Sequence, residues 1–93
     1  MGALTPVGLG LKSFWENLKM GKNGAGRITR FNPEKFRTQI ACELKDFKAD
    51  DWLDRAEIKR TDPFTQYALI AAEEAIKDSQ IDFSTVDPYD VGV

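Results

Sequence analysis

Leu11, Phe14, Trp15 and Leu18 recur at i, i+3, i+4 and i+7, which predicts a helix over about residues 11–20 with that face inward. Ser13 and Glu16 have capping-box spacing, but Leu11 puts the helix start slightly earlier. Gly21 is a natural C′ stop after Lys19 and Met20, and residues 22–26 then read as a turn. A second helical stripe runs through Phe64, Tyr67, Ala68, Ala71, Ala72, Ala75 and Ile76. Asp62-Pro63 opens it with an acidic N-cap and Pro at N1, predicting a helix over residues 63–79. So much of this stripe is Ala that a neighbour must pack very close to it.

Shorter signals fill the gaps. Asn32-Pro33-Glu34 repeats the cap-and-Pro chemistry and predicts a helical turn over residues 33–36. Ile40, Cys42 and Leu44 alternate with Ala41 and Glu43, a half-buried strand pattern that makes Cys42 a buried or half-buried structural thiol. Residues 50–53 read as a turn with Trp52 and Leu53 facing inward. Asp54 and Glu57 have near-capping-box spacing ahead of a short basic helix, residues 55–60. Residues 81–88 read as a connection, and Tyr89 to Val93 as the start of a buried strand. The first ten residues are a Gly- and Pro-rich apolar loop that packs closely against something. An unanchored loop at one end and a strand pattern cut short at the other are expected of a segment of a longer chain. There are no internal repeats or low-complexity tracts.

At 93 residues the chain holds one small domain at most. Thirteen basic against fifteen acidic residues leave a net charge of −2, too balanced for a broad nucleic-acid footprint. No apolar run approaches the roughly 20 residues that span a bilayer, and no signal-peptide pattern is visible. The single Cys fits a reducing compartment, so a cytoplasmic location is expected.

The absence of His excludes more than any other feature. It removes Ser-His-Asp and Cys-His catalysis, and with one Cys it removes the usual zinc sites. Acid–base work would fall on carboxylates, Lys or Tyr, and complete catalysis within this chain is not expected. Gly21, Gly24 and Gly26 do not make a phosphate loop, because the Gly-Lys-Ser/Thr ending and a preceding strand are both missing. Asp50, Asp51 and Asp54 lack the ligand number and turn glycine of a cation loop. No metal or cofactor is expected. Phe14 and Trp15 read as core, and Tyr67 as a core residue with its hydroxyl satisfied locally.

Five strings, in order and at matching spacing, resemble the β-ketoacyl-acyl-carrier-protein synthases over essentially the whole chain. They are Gly2-Ala3-Leu4-Thr5-Pro6-Val7-Gly8, the Phe14-Trp15-Glu16 helix ending in Gly21-Lys22-Asn23-Gly24, and Leu44-Lys45-Asp46-Phe47. The others are Lys59-Arg60-Thr61-Asp62-Pro63-Phe64-Thr65-Gln66-Tyr67 and Tyr89-Asp90-Val91-Gly92-Val93. Within the family the chain most resembles the type II, long-chain-elongating 3-oxoacyl-[acyl-carrier-protein] synthases. The resemblance implies an α/β, thiolase-like fold, of which residues 1–93 are an incomplete N-terminal portion, helix-rich and lacking the first strand and most of the sheet. It implies a decarboxylative Claisen condensation in fatty acid elongation, acyl carrier protein as partner, and a homodimer when complete. The family's nucleophile sits in a Thr-Ala-Cys-Ser/Thr-Ser-Gly turn at a helix N-terminus, assisted by two His. Cys42 shares only the preceding Ala41 with that turn, so the resemblance assigns no catalytic residue here.

One functional surface carries over. In the family a basic stretch before the Asp-x-Phe helix helps dock the acidic carrier, and here it reads Arg55-Ala56-Glu57-Ile58-Lys59-Arg60. Arg55, Lys59 and Arg60 are the candidate docking residues, since cations on one face steer an acidic partner. Ala56 stands where relatives often have another basic residue, which weakens or shifts docking. The plainer reading is a solvated polar face with Glu57 paired to Arg60 or Lys59. Two other roles stay open: a non-catalytic homologue of the chain-length-factor type, and a stand-alone module for an acidic partner.

Overall fold

A computed structural model describes residues 1–92; Val93, the last residue of the predicted terminal strand, lies outside the described residues. The chain begins with an antiparallel hairpin, β1 (Leu4–Thr5) and β2 (Gly8–Leu9), with Leu4 opposite Leu9. The Thr5 hydroxyl holds the turn, accepting from the Val7 and Gly8 N–H groups at 3.3 and 3.1 Å. Helix α1 (Leu11–Lys19) follows. It ends as predicted at Gly21, whose φ of 67° lets its N–H reach Leu18 O while Lys22 N–H reaches Asn17 O, a Schellman closure. A second antiparallel pair, β3 (Gly26–Arg27) and β4 (Ile40–Ala41), is separate from the hairpin. A 3₁₀ turn at Ala49–Asp51 leads to α2 (Arg55–Arg60) and α3 (Pro63–Ser79).

The close neighbour that the alanines of α3 require is the segment leading into the hairpin. A Cβ at Gly2 would fall on the Ala71 carbonyl oxygen and within 2.8 Å of Ala75 N. The covered face of α3 is rotated from the predicted stripe. Gln66 and Ile70 are buried, and Tyr67, Ala71, Glu74 and Ala75 half-buried. Phe64 is 73% exposed, and Ala68, Ala72 and Ile76 line up with it on an open face. Helical period alone gives a stripe's width, whereas the position of the hairpin chooses which edge of it is covered.

Several expectations change. Residues 33–36 keep the single turn expected of them, closed by Phe36 N–H on Pro33 O at 2.9 Å, but other readings differ. The 40–44 strand shrinks to β4, and its outward residue is Ile40, 65% exposed, while Ala41 is half-buried. Cys42 is exposed, because pairing with β3 ends one residue before it. Gly26, read as part of a turn, lies in β3. Tyr89 and Asp90 belong to a 3₁₀ turn, Pro88–Asp90, because the Asp87 carboxylate accepts the Tyr89 N–H and Pro88 takes N1. Trp15 and Leu18 are exposed on α1, and Trp52 is exposed beside a half-buried Leu53. No described element covers the outer side of α1.

The Cα radius of gyration is 16.4 Å, against about 12 Å for a compact domain of this length. Ile70 and Pro33 are the buried apolar side chains among the described residues. Few apolar groups leave water, so little opposes the chain entropy of folding. Expressed alone, these 93 residues should unfold over a broad, low-amplitude transition and associate through exposed apolar surface. A sharp two-state melt of a monomer, by calorimetry with sedimentation, would overturn this.

Candidate docking surface

The basic stretch becomes helical because Asp54 caps it. Its carboxylate accepts the Glu57 N–H at 2.8 Å, as the near-capping-box spacing predicts. Arg55 and Lys59 lie one turn apart on the same face, and Arg60 sits about 100° round from Lys59. All three are exposed. Their exposure fits the solvated face of the plainer reading, but the Glu57 pairing to Lys59 or Arg60 that went with it does not occur among the described residues. The Arg60 Nε instead donates to Ala56 O at 3.2 Å, which folds the side chain along the helix and leaves its terminal nitrogens outward. Lys59 and Arg60 also stand in the last turn, where cations complement the helix dipole.

The far end of this helix is fixed from α3. The Gln66 carboxamide, buried beneath α2, donates to Ile58 O at 3.3 Å and to Thr61 O at 3.0 Å. The Thr61 hydroxyl donates to Glu57 O at 2.5 Å. Asp62 stands at the N-cap of α3 without a side-chain bond to the helix, so Pro63 and the packing of Gln66 mark its start.

Sequence reasoning missed two polar residues, Gln66 and Glu74. Both lie i±4 from buried Ile70, and a polar residue on the same line as a buried apolar one was the available signal. Glu74 bridges the hairpin and α1: Oε1 accepts the Leu11 N–H at 2.8 Å and Oε2 the Ala3 N–H at 2.9 Å. Tyr67 is half-buried, and its hydroxyl is satisfied from far along the chain, by Arg30 Nη2 at 2.7 Å; Phe47 meets its ring edge-on at 5.0 Å. The Thr29 hydroxyl, donating at 2.8 Å, holds the Glu43 carboxyl below its usual range against desolvation, with smaller help from the Thr29 and Arg30 N–H groups and the Arg30 charge.

Phe14 and Trp15 are not closed into a core. They line an open apolar groove of about 680 Å³ with Leu11 beside Glu74. No three His, Cys, Asp or Glu side chains among the described residues could together hold a metal ion. No helix is long and apolar enough to cross a membrane.

Comparisons with known proteins converge on one family. The beta-ketoacyl synthase N-terminal domain family matches residues 1–93. The chain is 45% identical over its full length to the 3-oxoacyl-[acyl-carrier-protein] synthase 2 of Staphylococcus aureus, of which it spans 23%. It is 39% identical to the protein of the same name from Synechocystis, spanning 22%. Its structure matches the ishigamide ketosynthase/chain length factor with a TM-score of 0.77 and 30% identity, over 91% of this chain and 21% of that one. The chain thus spans about a quarter or less of the relatives it matches. With the hairpin, the capped basic helix and the Asp-Pro-initiated helix in place, and a family match from end to end, the chain belongs to the beta-ketoacyl synthase family.

Proposed function

We propose that the chain is an incomplete N-terminal part of a 3-oxoacyl-[acyl-carrier-protein] synthase with a thiolase-like fold. The complete protein, a cytoplasmic homodimer, condenses an acyl group with malonyl-acyl-carrier-protein. In that reaction a Cys thiolate takes the acyl group from its carrier as a thioester. Loss of CO₂ from the malonyl group breaks a C–C bond and leaves an enolate on the second carrier thioester. The enolate carbon attacks the enzyme thioester, a C–C bond forms, and the Cys thiolate leaves. Donors aimed at the developing oxyanion lower the barrier. Those groups lie outside this chain, which supplies scaffold and a docking surface and is inactive alone. The match to synthases across the entire chain carries this reading. Cys42 follows β4 and is not in the first turn of any helix, which supports leaving it out of the chemistry.

Arg55, Lys59 and Arg60 are the docking cations, and their exposure, with no ion pair to any of them among the described residues, supports that role. Reversing charge at Lys59 and Arg60 together in the complete enzyme should slow carrier association about tenfold at low salt and flatten its salt dependence. Stopped-flow binding to acyl carrier protein measures this, and an unchanged rate rejects the docking assignment.

A second reading is favoured by the ketosynthase/chain length factor match: the complete protein is a non-catalytic partner subunit. Mass spectrometry after incubation with acyl-carrier-protein thioester separates the two. An acylated Cys and a 3-oxoacyl product support the synthase; neither, in a folded protein, supports the partner subunit. The stand-alone module is disfavoured by the extended shape and exposed apolar side chains.

A further inference from the structure

Helix α2 is six residues long, well below the length at which a helix holds itself in water. Its two ends are treated differently. The N-terminal end is capped locally by Asp54, within the same stretch of chain. At the C-terminal end, where helix carbonyls lack intrahelical partners, Thr61 covers Glu57 O from the adjacent residues, but Ile58 O and Thr61 O are covered from another element. Both bonds come from one nitrogen, the Gln66 Nε2. Gln66 is the one buried polar side chain among the described residues, 7% exposed, and it lies in the first turns of α3.

We propose that Gln66 is a positioning residue for carrier docking: its carboxamide locks the short basic helix onto α3 and so fixes where Arg55, Lys59 and Arg60 stand. This rests on the docking reading of α2. The chemistry is specific to an amide. Met fills similar volume but donates nothing, and a carboxylate would face two carbonyl oxygens with further acceptors. Without the clamp α2 samples unfolded states, and each encounter must order it before the cations act together. Gln66 touches neither substrate nor the reacting atoms in this account. Its effect should therefore reach only substrates delivered on the carrier protein.

The test compares wild-type and Gln66→Met forms of the complete enzyme, with the same acyl group presented on acyl carrier protein or on a short pantetheine thioester. The expected result is a carrier-substrate KM raised about three- to tenfold, with kcat/KM for the short thioester within about twofold. Hydrogen exchange should quicken at residues 55–60 and stay unchanged in the middle of α3. A parallel loss on both substrates, or unchanged exchange in α2, overturns the proposal. Faster exchange with an unchanged carrier KM also overturns it, and the charge reversal at Lys59 and Arg60 then tells which step failed. If that reversal raises the carrier KM, only the positioning role falls; if it does not, the docking reading falls and takes this inference with it. Should Gln66→Met not accumulate folded, Gln66→Asn keeps the amide one methylene short and carries the same readouts.

Discussion

Gly8→Ala should destabilise the complete protein by about 2–4 kcal/mol, a large share of the stability of an ordinary domain. The added Cβ would lie 2.5 Å from Phe14 N, 2.6 Å from Ser13 C and 2.8 Å from Phe14 Cα. All three are backbone atoms of α1, so no rotamer change can make room. Either the helix or the hairpin must move, and neither moves freely. The Asn17 Nδ2 donates to Val7 O at 2.6 Å, tying α1 to the turn that contains Gly8's neighbours, and the Thr5 hydroxyl bonds Gly8 itself. Gly26→Ala is the matched control, because a Cβ there meets nothing within 4 Å. Its expected effect is near zero, within about 0.5 kcal/mol. Urea unfolding of both variants measures the difference, and equal midpoints would refute the close approach of the hairpin to α1.

The second large effect is expected at Glu74. Gly10 precedes α1 and has no side chain to cap it. The cap comes from α3, as the Glu74 carboxylate accepts the Leu11 N–H with one oxygen and the Ala3 N–H with the other. A negative group at a helix N-terminus also faces the positive end of the helix dipole. Glu74→Leu leaves two N–H groups without their acceptor and should cost about 2–4 kcal/mol. Glu74→Gln keeps one acceptor oxygen and loses the charge, so about 1–2 kcal/mol is expected. The graded order, with Glu above Gln above Leu, is the signature of a shared cap. Chemical denaturation of the three forms checks it. If Gln and Leu prove equal to wild type, the carboxylate is not what joins the hairpin, α1 and α3.

These two sites and Gln66 mark the boundary between local and non-local information. The elements legible in the chain are those whose causes lie within a few residues. Asp54 caps α2 through Glu57 N–H three residues on, Gly21 ends α1 through its own positive φ, and Pro63 at N1 starts α3. The family strings are likewise local runs, and so family membership was readable from residues 2–8, 44–47 and 59–67. The common face of Arg55 and Lys59 was legible for the same reason, since i, i+4 spacing on a capped helix determines it, whereas Arg60 stands about 100° away.

What needed the folded chain is what depends on neighbours distant in sequence. The alternation at Ile40, Cys42 and Leu44 was real, but only two residues found a partner strand, and Cys42 fell outside the pair. Asp87-Pro88 competed with a strand pattern at Tyr89 and prevailed, because a cap and a fixed φ act without a partner strand whereas a strand needs one. The apolar stripe of α3 was correct in period and only half covered, with Tyr67, Ala71 and Ala75 on the packed side and Phe64, Ala68, Ala72 and Ile76 on the open one. Glu74 and Gln66 sit on the covered side of that helix and spend their polar groups on Ala3, Leu11, Ile58 and Thr61. Local sequence thus determined where helices begin, end and carry charge, because hydrogen bonds within a turn and backbone torsions decide those. Which face is buried and which carboxylate or amide joins the elements was decided only by tertiary structure, because burial and long-range capping depend on groups brought together by the fold.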